Sequence, residues 1–241
     1  MINNITLLII KIFDFFHKKK IINFLKKNKN YKFDIILDIG AHHGESIELF
    51  LNNLNVKKII SFEASPYNFK FLNYNYRKLV EKFPNTEIKI ENLATGNENK
   101  IFSINQFEES SSSTMKNIDQ NSSYFKKKFF FLKKSNKNLF RKLDIKIVKL
   151  KNYLSDNSMK NIDFLKIDTE GYENETLLGL GEKIKDVKLI FFEHHYDNMI
   201  IKNYKFNDLH KVLVDNNFFQ IFKIKMPFRK SFEYIYENSG K

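Results

Sequence analysis

The chain has 241 residues, no cysteine and a formal net charge of +13. That length suits one sizeable α/β domain, and the lack of cysteine excludes disulfides and thiolate metal sites and fits a reducing, cytoplasmic setting. Residues 1–33 (eight Lys, one Asp) carry +7 and residues 116–151 (eleven Lys, one Arg, two Asp) carry +10, which leaves the rest at −4.

The basicity therefore sits in two segments, outside a mildly acidic body. Lys, Asn, Ile and Phe are abundant throughout while Ala, Gly and Pro are scarce. That is the mark of biased base composition more than of a nucleic-acid stripe.

Residues 1–32 read as a basic helical arm ahead of a main domain at 33–241. Ile5 to Phe16 is mostly apolar, but Lys11 and Asp14 interrupt it, and it falls short of the ~20 residues of a membrane span. No basic segment precedes it and it has no small-residue cleavage site, so a secretory signal is not expected. With Lys18–Lys20 and Lys26–Lys27 following, residues 1–30 suit peripheral contact with an anionic membrane. The reading preferred here is a cap helix packed on the domain or on a second subunit.

Asp34 to Glu45 reads D-I-I-L-D-I-G-A-H-H-G-E. A continuous apolar run ending in glycines predicts a buried parallel strand, a tight turn and a helix start. Gly40 lets the chain turn and a ligand approach, Gly44 lets the helix pack, and the free N–H groups there suit oxygen ligands. Asp38 ends the strand, where it can accept from an amine or a water. This is a nucleotide-type pocket at the carboxyl end of the first strand. A second buried strand, Lys57–Glu63, ends in an acid nineteen positions after Gly44, where a ribose diol is gripped. Ala64-Ser65-Pro66 then turns into a helix reaching about Phe83.

Thr86–Asn92 alternates as a strand. Asn92 either meets an adenine edge or turns the chain. Lys100–Asn105 is a further strand, and Glu108–Thr114 (E-E-S-S-S-S-T) is a loop read as a mobile lid carrying Ser111 and Ser112 toward a substrate. Lys116–Arg141 mixes lysines with Phe125, Phe129, Phe130, Phe131 and Phe140. It forms most of a basic, aromatic insertion at about 108–143, read as an amphipathic helical cover for the substrate cleft. Its charge suggests an anionic acceptor.

Ile145–Leu150 is a strand, Lys151–Ser158 a short helix or turn, and Ile162–Ile167 another buried strand. Asp168 to Glu173, D-T-E-G-Y-E, crowds three carboxylates at its end. Such crowding raises carboxyl pKa values and marks chemistry or cation contact. Val187–Phe192 precedes Glu193-His194-His195. A helix at Phe206–Asn216 and strands at Phe218–Lys223 and Ser231–Tyr236 close the chain. The alternation predicts a doubly wound, mostly parallel sheet of about seven strands.

D-I-G-A-H-H-G-E, F-E-A-S-P, N-L-A, F-L-K-I-D-T-E-G-Y-E and F-F-E-H together resemble the FkbM-type methyltransferases, over about Phe33 to His195. The resemblance implies an S-adenosylmethionine-dependent O-methyltransferase with the Rossmann-like class I methyltransferase fold. It implies that Asp38, Gly40, Ala41 and Gly44 hold the methionine end of the cofactor, Glu63 the ribose and Asn92 the adenine side. His42, which stands where the family carries Asn, and Ala64 belong to the same loops. Asp168 is expected near the sulfonium, with Glu170, Glu173 and Glu193 around the acceptor. A hydroxyl acceptor needs a general base; Asp168, Glu193 and His194 are the candidates, the first two preferred. The acceptor is a small molecule or glycan: a sugar, glycolipid or secondary metabolite. An RNA or DNA methyltransferase is disfavoured, since no Asp/Asn-Pro-Pro-aromatic run exists to hold a flipped base. A non-catalytic binding protein has no use for three crowded acids, and a nicotinamide dehydrogenase lacks its third glycine.

Overall fold

The computed structural model describes residues 4–108, 110–131 and 140–241. The elements in order are α1 (Asn4–Lys27), β1 (Ile35–Ile39), α2 (Glu45–Asn53), β2 (Lys58–Phe62), α3 (Pro66–Lys82), β3 (Glu87–Glu91), β4 (Ala94–Gly96), β5 (Lys100–Phe107) and β6 (Asn117–Ile118). There follow α4 (Ser123–Phe131), β7 (Phe140–Lys149), α5 (Leu150–Asp156), β8 (Ile162–Ile167), α6 (Glu173–Leu180), β9 (Val187–His195), β10 (Ile200–Ile201), α7 (Phe206–Asp215), β11 (Phe218–Lys225) and β12 (Ser231–Asn238).

Seven strands form the central sheet in the order β11-β12-β9-β8-β1-β2-β3. All run parallel except β12, which is antiparallel to both its neighbours. The chain leaves β1 toward β2 and β3, then returns to lay β8 on the other flank of β1. This reversal opens a crevice at the carboxyl ends of β1 and β8. Register pairs Ile39 with Phe62 on one side and Ile167 on the other, so the loops after Ile39, Phe62 and Ile167 emerge side by side.

Both faces of the sheet are covered, which is why its strands read as unbroken apolar runs. Leu37, Ile39, Leu165, Ile167, Ile190 and Phe192 pack beneath α5, α6 and α7 through Leu154, Leu177, Leu209 and Leu213. Their neighbours Ile36, Phe164, Leu189, Phe191 and Ile235 face the other way, beneath Leu25, Ile47, Phe50 and Leu72. Helix α3 starts at Pro66 because Ser65 caps it, its Oγ accepting from the N–H groups of Tyr67 and Asn68 at 3.2 Å.

Two strands expected from the sequence, at 100–105 and 145–150, join β4 in a separate three-stranded sheet, β4-β7-β5. Residues 132–139 of the insertion lie outside the described residues. Its described part pairs β6 with β10 and buries Phe125 with Phe107, Met199 and Ile200. The arm packs on the domain as a cap. Ile21, Ile22 and Leu25 are buried in the sheet's second layer, and Phe24 lies on Phe222 with ring centroids 4.4 Å apart. Among the described residues no helix is long and apolar enough to cross a membrane.

Candidate active site

The loop after β1 turns on Gly40, at φ +85°, where a side chain would meet the backbone oxygen of Asp168 at 1.8 Å. Only glycine allows the β1 and β8 loops to lie this close. The N–H groups of Gly40 and Ala41 both donate to the carbonyl of Phe62, and the N–H of Asp168 donates to that of Ile39. Three strand ends are thereby locked together beside one cavity of about 420 Å³, within the range of small-molecule sites.

Glu63 stands at the cavity wall, 6 % exposed. One carboxylate oxygen accepts from the N–H of Ser65 at 2.9 Å, the other from the N–H of His42 at 2.8 Å. The first of these oxygens also accepts from the Asn68 side-chain amide at 3.4 Å, which leaves the further lone pair on the other. Burial pushes this carboxyl up to about 7, against the lowering effect of those two N–H groups and of the His42 ring. His42 adopts φ +50°. Its ring lies 3.2 Å from Glu45 through Nδ1 and 2.7 Å from the Ser110 hydroxyl through Nε2. Burial disfavours its charged form, but Glu45, Glu63 and Asp168 outweigh this and raise its pKa. Burial likewise acts to raise Glu45, yet the His42 contact holds it down to about 2.

Asp168, beside the Gly40 turn, lines the cavity together with Glu170 and Glu193. Glu170 and Gly171 take φ +49° and +100°, so the turn after β8 is tightly coiled. Strand periodicity sends Glu193 and His195 to one face of β9 and His194 to the other. His195 is nearly buried. Its Nε2 lies 3.3 Å from both Glu170 and Glu193, and its Nδ1 3.5 Å from Asp197. Burial disfavours an imidazolium there, but these carboxylates outweigh it and raise the His195 pKa. Burial raises Glu193, and Asp168 and Glu170 raise it further, while the His195 charge opposes them. Arg229, from the β11–β12 turn, lines the same cavity and is held charged against burial by Glu193 and Glu170.

The expected site residues divide clearly. Gly40, Ala41, His42, Glu63, Ala64, Ser111, Asp168, Glu170 and Glu193 all line the one cavity. Six others do not line it. Asp38 is fully buried and accepts from Ser46 at 2.6 Å and from Lys166 Nζ at 3.0 Å; it braces the loop from beneath. Gly44, at φ +100°, faces Leu72 and Leu79 on the far side of the helix start. The Asn92 amide donates to the carbonyls of Glu63 and Ala64 at 2.8 and 3.3 Å, tying two loops, while Leu93 and Ala94 line the wall instead. Glu173 accepts from the N–H groups of Thr169 and Gly171 and from the Tyr204 hydroxyl, so it clamps the turn. His194 is enclosed by Tyr196, Tyr204 and Phe206, and burial lowers its pKa to about 3. Ser112 is buried within the serine loop, whose Ser110, Ser111 and Ser113 reach the cavity.

Sequence reasoning passed over several lining residues. Lys166 donates to Asp38 and to the Gly40 carbonyl at 3.1 Å, and lies 3.6 Å from Asp168. Its neighbouring anions, above all Asp38, overcome burial and raise its pKa. The signal was a lone lysine inside a buried apolar strand. Asp14, His17 and Lys18 of α1 also line the cavity, as do Met226 and Glu233, and His17 hydrogen-bonds Glu233. Of the insertion, Ser110, Ser111, Ser113 and Met115 line the cavity, and none of the described residues from 116 onward does. The lining includes Asp14, Glu45 and Glu233 besides the four acids already named, an acidic balance.

A family model described as the methyltransferase FkbM domain matches residues 38–220. No curated protein matches the chain. Similar solved structures include a methyltransferase FkbM from Methylobacillus flagellatus, with a TM-score of 0.53 and 14% identity over 86% of this chain and 43% of that one. This chain thus spans less than half the length of that protein. Another is a magnesium protoporphyrin IX methyltransferase from Synechocystis with bound SAM, with a TM-score of 0.52 and 10% identity over 92% of this chain and 78% of that one. At such identities the likeness is one of fold.

Proposed function

Because the chain belongs to the FkbM methyltransferase family, we propose that it transfers the methyl group of S-adenosylmethionine to a hydroxyl of a sugar, glycolipid or secondary metabolite. One observation carries this reading: the glycine loop, Glu63, Asp168, Glu170 and Glu193 all line a single cavity. The residues fit the cofactor. Glu63 keeps a lone pair for a ribose hydroxyl, and Ala64, Leu93, Ile104 and Met115 give the wall apolar surface for the base. When bound, S-adenosylmethionine supplies a methyl group on a sulfonium, which is already a good leaving group.

The protein's own task is placement and proton removal. Holding an acceptor oxygen about 3 Å from the methyl carbon, in line, provides much of the rate. Asp168 or Glu193 takes the hydroxyl proton as general base. Lys166 fixes Asp168, and His195 keeps Glu193 from losing its charge entirely to burial. The acidic lining repels a phosphate backbone, which favours an uncharged hydroxyl acceptor over RNA or a phosphorylated carrier.

Calorimetric titration with S-adenosylmethionine and with its demethylated product, on the native chain and on Glu63→Ala, tests the reading. Micromolar binding abolished by the substitution supports cofactor and pocket together and opens a screen of glycan and small-molecule acceptors. No binding to the native chain overturns it.

A further inference from the structure

Helix α1 changes character along its length. From Ile21 onward one face of it, Ile21, Ile22 and Leu25, is buried on the sheet. Ahead of that, Ile12, Phe13, Phe15 and Phe16 are 45, 50, 61 and 55% exposed. Phe228, in the turn between β11 and β12, is 69% exposed, and its ring meets that of Phe13 edge-on at 5.0 Å. Single exposed apolar side chains are ordinary; an aromatic patch joined across two elements marks an interaction surface. Exposed cations flank it. Lys18, Lys19 and Lys20 follow on the same helix, and Lys225 and Lys230 bracket the turn.

The chemistry of the patch selects its occupant. Phenylalanine rings bordered by lysines match a bilayer surface, with rings at the acyl boundary and ammonium groups among anionic headgroups. A second copy of the chain seated on this face brings lysines against lysines. We propose that the exposed part of α1 and the β11–β12 turn dock the protein on an anionic membrane surface. Asp14, His17 and Lys18 of α1, with Met226 and Arg229 of the turn, also line the cavity. Docking therefore holds that part of the cavity at the lipid boundary, and the acceptor is a hydroxyl of an uncharged, lipid-borne sugar headgroup. This last statement rests on the methyl-transfer reading; the docking does not.

The test is flotation of the full chain with phosphatidylcholine vesicles, with and without about a third phosphatidylglycerol. The expected result is capture by the anionic vesicles alone, reversed in about 1 M salt, where the Debye length is ~3 Å. F13S/F16S/F228S and K19E/K20E each weaken capture at least tenfold, with unchanged thermal melting and cofactor titration. Should the aromatic variant misfold, the lysine variant carries the test alone. Failure of the native chain to float with anionic vesicles overturns the proposal. So does a dimer in light scattering that F13S/F16S/F228S dissolves. Vesicle capture without any cofactor binding leaves docking in place and overturns the lipid-borne acceptor with the methyl-transfer reading.

Discussion

Lys166→Met removes the only cation that touches both Asp38 and the Gly40 carbonyl among the described residues. Methionine keeps the length and apolar stem but leaves Asp38, fully buried, with only hydroxyl partners: Ser46 at 2.6 Å and Ser61 at 3.4 Å. Breaking a buried pair from one side costs about 3–5 kcal/mol. The two hydroxyls argue for the lower end, about 3 kcal/mol, against a total stability of roughly 5–15 kcal/mol. For a chain of this size that is a drop of about 6–12 °C in Tm. Urea unfolding of the native chain, K166M, D38N and K166M/D38N completes the measurement. In the double variant no stranded charge remains, so it should recover about 2 kcal/mol relative to the sum of the singles. The Lys166 pKa is raised on folding, so its contribution is full below about 10.4 and lost only as pH climbs through the higher folded value; experiments near neutral pH see all of it. Single variants that add to within about 0.5 kcal/mol, or a K166M cost below that, refute the buried-pair account.

Other outcomes follow from the cavity. Burial lifts Glu63 to about 7, and the ionised carboxylate is the better acceptor for a ribose hydroxyl; cofactor affinity measured by calorimetry should fall as pH drops through about 7, and Glu63→Gln should flatten that dependence. The same shift makes its stability contribution largest below the unfolded value of 4.5 and lost as pH rises through about 7. Asp168→Asn should leave cofactor binding intact and cut turnover at least about a hundredfold; full activity ends its assignment as base. His195→Gln removes the charge that opposes the rise in the Glu193 pKa, so the acid limb of the kcat–pH profile should move to higher pH. A limb that stays in place excludes Glu193 as the base.

Much of this architecture is legible before any coordinates. Buried parallel strands announce themselves as apolar runs, and the reversal at β1 follows from where the glycine loop and the D-T-E-G turn fall in the order of strands. Glu63 is found by spacing, because a fixed strand–helix–strand unit sets the distance from loop to acid. What sequence hides is facing. His194 and His195 look equivalent in one dimension; strand parity separates them, and only packing decides that His195 meets the acids and His194 the aromatic side chains. Glu173 and Asp38 read as site carboxylates because an acid at a strand end has two uses, gripping a ligand or bracing the loop that does. Strands β5 and β7 alternate where the core strands of the central sheet run unbroken, and that alternation marks a half-exposed strand without saying which strands it joins. The part of α1 in the cavity wall is set by a partner strand more than two hundred residues away.

That last separation bears on how the protein is made. Phe24 packs on Phe222, and His17 bonds Glu233. At about 5–20 residues per second, the ribosome needs roughly ten to forty seconds to deliver those partners after α1 itself. For that interval Phe24 and His17 lack their partners, so a nascent chain stalled before β11 should be a ready client for chaperones, and its release should track the emergence of the last hairpin.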